Sequence, residues 1–164
     1  MKKFLLLFLL LISIGLAWAD LGDDFAKIMF QQKVDELYQK ALSCSPQEKD
    51  SKTSTTIEDW MKIQPPLPNW KRLAELEKTA NEARLYARSI GGNDKKLHCL
   101  AGCYVAKKLD YPSAVLIGWL KELSDASDCS KSTSFEKRDY EATVWGAKAI
   151  DSQKTCESYC KKFK

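Results

Sequence analysis

The sequence predicts an all-α protein, a single disulfide-stapled helical bundle of five to six helices. Apolar residues recur at steps of three and four along most of the chain, and no segment reads convincingly as a strand. The chain opens with the features of an export signal, and six cysteines follow it. Together these observations indicate one cystine-braced helical domain in an oxidising compartment.

The export signal consists of two lysines, an apolar run at residues 4–12 and the small-x-small site Ala17-Trp18-Ala19. This order is typical of a secretory signal peptide at residues 1–19. Its core is shorter than the ~20 residues that cross a bilayer, so we expect no stable membrane span after cleavage. An N-terminal anchor is the alternative. The prediction is a bacterial periplasmic or secreted protein whose single helical domain covers residues 20–164.

The charge balance excludes one class of partner. The formal net charge is +4, and removing the two leader lysines leaves 4 − 2 = +2. No basic run is interleaved with aromatic residues, so the sequence gives no support for nucleic-acid binding. A protein partner in the bacterial envelope stays open.

The cysteine spacing predicts a pairing. Two pairs of cysteines are each four residues apart, which places both thiols of a pair on one helix face. Two such helices lying antiparallel can be bridged twice, although six cysteines allow fifteen pairings. A thiolate metal site is the alternative. The predicted bridges are Cys99–Cys160, Cys103–Cys156 and Cys44–Cys129.

The first third of the chain predicts two helices and a connector. Apolar periodicity covers residues 20–42, and Pro46 stops that helix. A Thr-x-x-Glu capping box at residues 55–58 starts a short helix that reaches Ile63. Residues 45–69 otherwise read as a polar loop followed by a proline-rich connector.

Further helices are predicted, and each begins at a capping residue or a proline. Asn69, Asn93 or Asp94, and Asp151 are the predicted caps of three of them. The predicted spans are 70–90, 94–109, 114–126, a helix from a capping box at residues 133–136 to about residue 150, and 152–163.

Two glycines inside these helices predict a close crossing. A glycine in a helix interior costs about 1 kcal/mol relative to alanine, so it usually permits something to come near. Gly118 lies in the most apolar helix and Gly146 in the following one. We expect these two helices to cross with both glycines near the contact.

The polar residues that could carry chemistry lie within residues 94–150. Asp94 and His98, the only histidine, are four apart and share a helix face, where the carboxylate can orient the imidazole. Glu122 follows the first glycine by one turn, and Asp139 precedes the second by two turns. The sequence therefore predicts one site lined by His98, Glu122 and Asp139, with Asp94, Thr143 and the two glycines in support. Asp125 and Glu141 are expected in solvent.

Two interpretations of these residues stay open. In one, His98 is a general base, and Glu122 and Asp139 orient it or hold a metal such as Zn²⁺, for acid/base or metal-assisted hydrolysis. In the other, the same residues form a buried polar network that fixes the helix crossings. The second is favoured because no nucleophile, zinc-protease or phosphate-loop motif is present, and the cofactor is left unidentified.

A resemblance links these residues. The series Asp94-x-x-x-His98, Gly118 with Glu122, and Asp139-x-x-Ala142-Thr143-x-x-Gly146 is similar to a domain of bacterial secreted proteins and of the ends of Rhs-type polymorphic-toxin chains. The pattern of that domain is Asp-x-x-Arg-His, then Gly and Glu, then Asp-x-x-Asn-Asn-x-x-Gly. The resemblance covers residues 94–146.

The resemblance implies that the histidine, the two acids and the last glycine belong together, and it implies no reaction. This chain has Leu97 in place of the arginine, and Ala142 and Thr143 in place of the two asparagines. The expected function is a small binding or structural module of the envelope. The alternative is a secreted hydrolase or antibacterial effector, and the sequence does not decide whether the protein is an enzyme.

Overall fold

The computed structural model describes residues 23–44, 55–129 and 135–163, and the elements in these ranges are helical, with no β-strand. The predicted all-α bundle is confirmed. The predicted signal peptide, the polar loop at 45–54 and the Thr133 cap lie outside the described residues.

Seven α-helices are present in the described ranges, one in each of the seven predicted spans and so one or two more than the expected total of five to six. The last predicted helix, 152–163, is a single α-turn capped by Thr155 instead of Asp151, followed by a 3₁₀ turn. The helices are α1 Asp23–Cys44, α2 Ile57–Lys62, α3 Trp70–Ile90, α4 Asp94–Lys108, α5 Tyr111–Ser127, α6 Lys137–Ala147 and α7 Cys156–Tyr159, with 3₁₀ turns at Lys148–Asp151 and Cys160–Lys162.

The ends of α5 and α6 differ from the prediction. α5 begins one turn earlier than expected because the Asp110 carboxylate caps it, accepting a hydrogen bond from the Ser113 N–H at 2.8 Å. Pro112 fits in the first turn because a backbone N–H at that position would have no partner within the helix. α6 ends at Ala147, where the backbone tightens into the 3₁₀ turn, instead of continuing to residue 150.

A pair of buried tryptophans fixes α2 against α5. The Trp60 indole N–H donates to the Trp119 carbonyl at 3.3 Å, and the Trp119 indole N–H donates to the Trp60 carbonyl at 3.1 Å. Phe135 and Tyr140 each meet the Trp60 ring edge-on at 4.9 Å between centroids. Because every polar atom of the pair is satisfied, both rings can lie wholly inside the core.

The three disulfides have the predicted pairing. Cys99–Cys160 and Cys103–Cys156 have Cα–Cα distances of 5.8 and 5.6 Å and tie α4 to the C-terminal turns. Cys44–Cys129, at 5.0 Å, ties the end of α1 to the end of α5. All six cysteines are therefore paired.

Glycines let α4, α5 and α6 approach one another closely. A Cβ at Gly118 would lie 2.7 Å from the Thr143 Cγ2, so α5 and α6 meet there as expected. A Cβ at Gly146, however, would overlap the carbonyl oxygen of Cys99, which makes α4 and not α5 the partner of that glycine. Gly102 completes the contact from α4, because its Cβ would overlap the Thr143 carbonyl. The predicted crossing was wrong in this respect.

None of the described helices is both long and apolar enough to cross a membrane.

Candidate metal-binding site at the α4–α6 seam

The contact between α4 and α6 brings together four polar residues, which we call the seam cluster: Asp94, His98, Asp139 and Thr143. Asp94 lies in the first turn of α4 and His98 one turn later. Asp139 lies in the first turn of α6 and Thr143 one turn later. The glycine contacts described above allow the two helices to lie close together, so the pair on α4 and the pair on α6 face each other.

Three ligand-type atoms converge there, all within 4.8 Å of one another. The His98 Nε2 lies 3.8 Å from Asp94 Oδ1 and 3.9 Å from Asp139 Oδ2. The Asp139 side chain is only 6% exposed and that of His98 16%, whereas that of Asp94 is 67% exposed. The cluster therefore has a buried floor and opens to solvent beside Asp94.

Thr143 sets the orientation of the imidazole. Its hydroxyl donates a hydrogen bond to the Asp139 carbonyl oxygen at 3.1 Å, so its oxygen can only accept from the ring. The His98 Nδ1 lies 3.4 Å from that oxygen. We therefore assign the tautomer with the proton on Nδ1, which leaves the lone pair of Nε2 facing the two carboxylates.

Lys95 is a member of the surroundings that the sequence did not single out. Its Nζ donates to Asp139 Oδ1 and, at 3.0 Å, to Glu136 Oε2. The two oxygens of Asp139 therefore have different neighbours: Oδ1 accepts from Lys95, and Oδ2 faces His98. The only sequence signal for this role was the adjacent Asp94-Lys95 charge pair, which is common on solvated helices.

Burial shifts both titrating groups toward their neutral forms. It lowers the pKa of His98 to about 4, a shift that the nearby charge of Asp94 only partly opposes. It raises the pKa of Asp139 to about 6, against the hydrogen bond from Lys95. At pH 7 the imidazole is neutral and Asp139 is mostly ionised.

Glu122 does not belong to this group of converging atoms. It is fully buried, and its Oε2 accepts a hydrogen bond from the Glu136 backbone N–H at 2.9 Å, just before α6 begins. Its Oε1 has no hydrogen-bond partner among the described residues. Burial raises the pKa of Glu122 to about 8, so the carboxyl is protonated at pH 7. Its position supports α6 from inside the bundle.

The remaining predicted residues have mixed outcomes. Thr143 is buried, as expected of a core hydroxyl, and Glu141 is exposed. Asp125, expected in solvent, is only 15% exposed and pairs with Lys121, and burial raises its pKa. The prediction for Asp125 was wrong because the last turns of α5 remain packed against the bundle.

Comparison of the chain with protein-family models, with curated proteins and with solved structures gave no match.

Proposed function

We propose that the chain is a small exported helical module that works by binding, and that the seam cluster is its ligand site. One observation carries this proposal. Asp94, His98 and Asp139 direct three hydrogen-bond acceptors at one another, and the separations of 3.8 and 3.9 Å leave no hydrogen bond between them. Acceptors gathered in this way favour a ligand that supplies positive charge or donors.

The framework around the cluster supports a binding role. The site lies on two helices whose backbones touch at Gly102 and Gly146, and α4 is also held by two disulfides. Side chains on helices fixed in this way keep their geometry before a ligand arrives, which reduces the entropy lost on binding.

Export is part of the proposal. Three disulfides and the absence of a membrane-spanning helix among the described residues are consistent with a periplasmic or extracellular location. The signal-peptide pattern at residues 1–19 points the same way. The site resemblance to toxin-associated domains makes a secreted effector one setting in which such a module would act.

Hydrolysis is the second candidate, and the neutral imidazole with a free Nε2 lone pair is the observation that favours it. A general base works best with a pKa near the working pH, whereas burial lowers the pKa of His98 to about 4. Glu122, the predicted third member, is engaged with the Glu136 backbone. Binding therefore accounts for the geometry better than base catalysis does.

The proposal is tested against a purely structural role by the free energy of unfolding. If the cluster serves a ligand, Asp94→Asn should change that free energy by no more than about 0.5 kcal/mol, and His98→Gln, which also loses the contact with Thr143, by no more than about 1 kcal/mol. Asp110→Ala, which removes the side-chain cap of α5, is the reference for a structural polar residue and should cost about 1 kcal/mol. Losses of about 2 kcal/mol in both cluster variants would show a structural network and overturn the proposal.

A further inference from the structure

Resting on that function, we propose that the ligand of the seam cluster is a divalent transition-metal ion such as Zn²⁺. Its protein ligands are Asp94 Oδ1, His98 Nε2 and Asp139 Oδ2. The three residues come from two helices, and each has one ligand atom within 4.8 Å of those of the other two. Three protein ligands leave one position of a tetrahedral ion for water or a further ligand atom.

The distances fit a shared ion better than direct contact. Zn²⁺ holds nitrogen and oxygen ligands at about 2.0–2.1 Å, so two ligands of a tetrahedral ion are about 3.3 Å apart. The His98 Nε2 is 3.8 and 3.9 Å from the two carboxylate oxygens, which is too long for hydrogen bonds and about 0.5 Å wider than the ion requires. Asp94, exposed in the first turn of α4, can shorten its own distance to His98 by rotating its side chain, whereas a small rotation of the imidazole would have to shorten the distance to Asp139.

The hydrogen bonds behind the three candidate ligands have the arrangement found around metal-binding histidines. A ligating imidazole usually donates its other N–H to a fixed acceptor, which sets the tautomer. Thr143 provides that acceptor, and its hydroxyl is held in turn by the Asp139 carbonyl. Lys95 occupies one oxygen of Asp139, which leaves the other as a single ligand directed at the site.

The ligand set selects the class of ion. Mg²⁺ and Ca²⁺ prefer oxygen-only sites, so an imidazole nitrogen disfavours them. A thiolate site is excluded because all six cysteines are in disulfides. One imidazole with two carboxylates suits Zn²⁺ and its first-row neighbours, and the two carboxylates balance the charge of the ion. The ammonium of Lys95 is offset by Glu136.

The single histidine makes the test direct. The chain covering residues 20–164, with its disulfides intact, is stripped with a chelator and titrated with ZnCl₂ by calorimetry, while ¹⁵N spectra of the one imidazole are recorded. We expect saturable binding of one ion, a shift of the Nε2 resonance and a proton retained on Nδ1. Mg²⁺ at the same concentration should leave both resonances in place. An unshifted imidazole, or a shift at Nδ1 alone, would overturn the metal assignment.

Variants separate ligands from their surroundings. His98→Gln should abolish binding, Asp94→Asn should weaken it at least tenfold, and Asp59→Asn, an exposed acid in the first turn of α2, should leave it unchanged. Thr143→Val should weaken binding about tenfold and release the imidazole from its single tautomer, which marks Thr143 as a positioning residue. Unchanged zinc affinity in His98→Gln would also overturn the assignment.

A failure of the metal assignment can be distinguished from a failure of the proposed binding function. If the protein binds no zinc but its cluster variants keep their stability, the metal assignment is wrong and the cluster remains a binding site for another ligand. Destabilised cluster variants remove both proposals.

Discussion

Glu122 and Asp139 are two carboxyl groups withdrawn from water, one inside the bundle on α5 and the other at the α4–α6 seam. Glu122 accepts a hydrogen bond from one backbone N–H and is bonded to no charged group within the part of the chain that the structure describes, so burial keeps it protonated. Asp139 has the Lys95 ammonium on one oxygen and an opening to solvent beside Asp94. Burial alone therefore makes an acid structural, whereas burial beside a cation, with access to solvent, keeps a negative charge available for binding.

Replacing Glu122 with glutamine should change the stability of the protein most. The unfolded carboxyl ionises near its ordinary value of 4.5 and the folded one near 8, so the unfolded state loses its proton first and the free energy of unfolding falls as pH rises between these values. Glutamine keeps the acceptor for the Glu136 N–H and has no proton to lose. Urea unfolding should find Glu122→Gln equal to the parent near pH 4 and more stable by up to about 5 kcal/mol above pH 8. Parallel pH curves would show that Glu122 is ionised in the fold.

The next effect concerns the seam. Gly146→Ala should lower the free energy of unfolding by about 3 kcal/mol, because the new methyl group overlaps the Cys99 carbonyl on a neighbouring backbone. Gly118→Ala should cost less, since its methyl group meets the Thr143 Cγ2, a side-chain atom, at 2.7 Å. Equilibrium unfolding of both variants measures the difference. A reversed order would mean that the α4–α6 contact is looser than the α5–α6 contact.

A smaller change in stability is expected when Asp139 loses its charged partner and so becomes, like Glu122, a buried carboxyl without a bonded cation. Lys95→Met removes the cation from Asp139 and should lower the free energy of unfolding at pH 7 by about 2 kcal/mol, because a buried carboxylate loses a charged hydrogen bond. Lys62→Met, which removes an ammonium from the exposed Asp59, is the matched control and should leave stability unchanged. An equal response of the two variants in urea unfolding would place Asp139 effectively in solvent.

Local spacing was enough to predict the framework. The four-residue intervals gave the connectivity of the paired disulfides because a helix puts such positions on one face. Asn69 caps α3 as predicted, accepting from the Arg72 N–H at 3.1 Å. Helix ends after residue 108 were less predictable, because a 3₁₀ turn and short-range caps decide them.

The site was only partly predictable because it depends on contacts between distant segments. His98 and Asp139 do meet, but Glu122 faces the start of α6, a direction that periodicity cannot fix. Gly102 was overlooked although the cost of a mid-helix glycine applied to it as well. Lys95 was not predicted, since its one signal, a lysine beside an aspartate, is ordinary on a helix surface. The family resemblance stays a prediction.

The long spacing of the α4 disulfides has a consequence for biosynthesis. Cys103 and Cys99 wait for partners 53 and 61 residues further along the chain. At the usual rate of translation those partners appear about 3 to 12 s later. During that delay the earlier Cys44 is already present as a competing thiol. For a chain exported as proposed, we therefore expect correct maturation to depend on a thiol–disulfide isomerase.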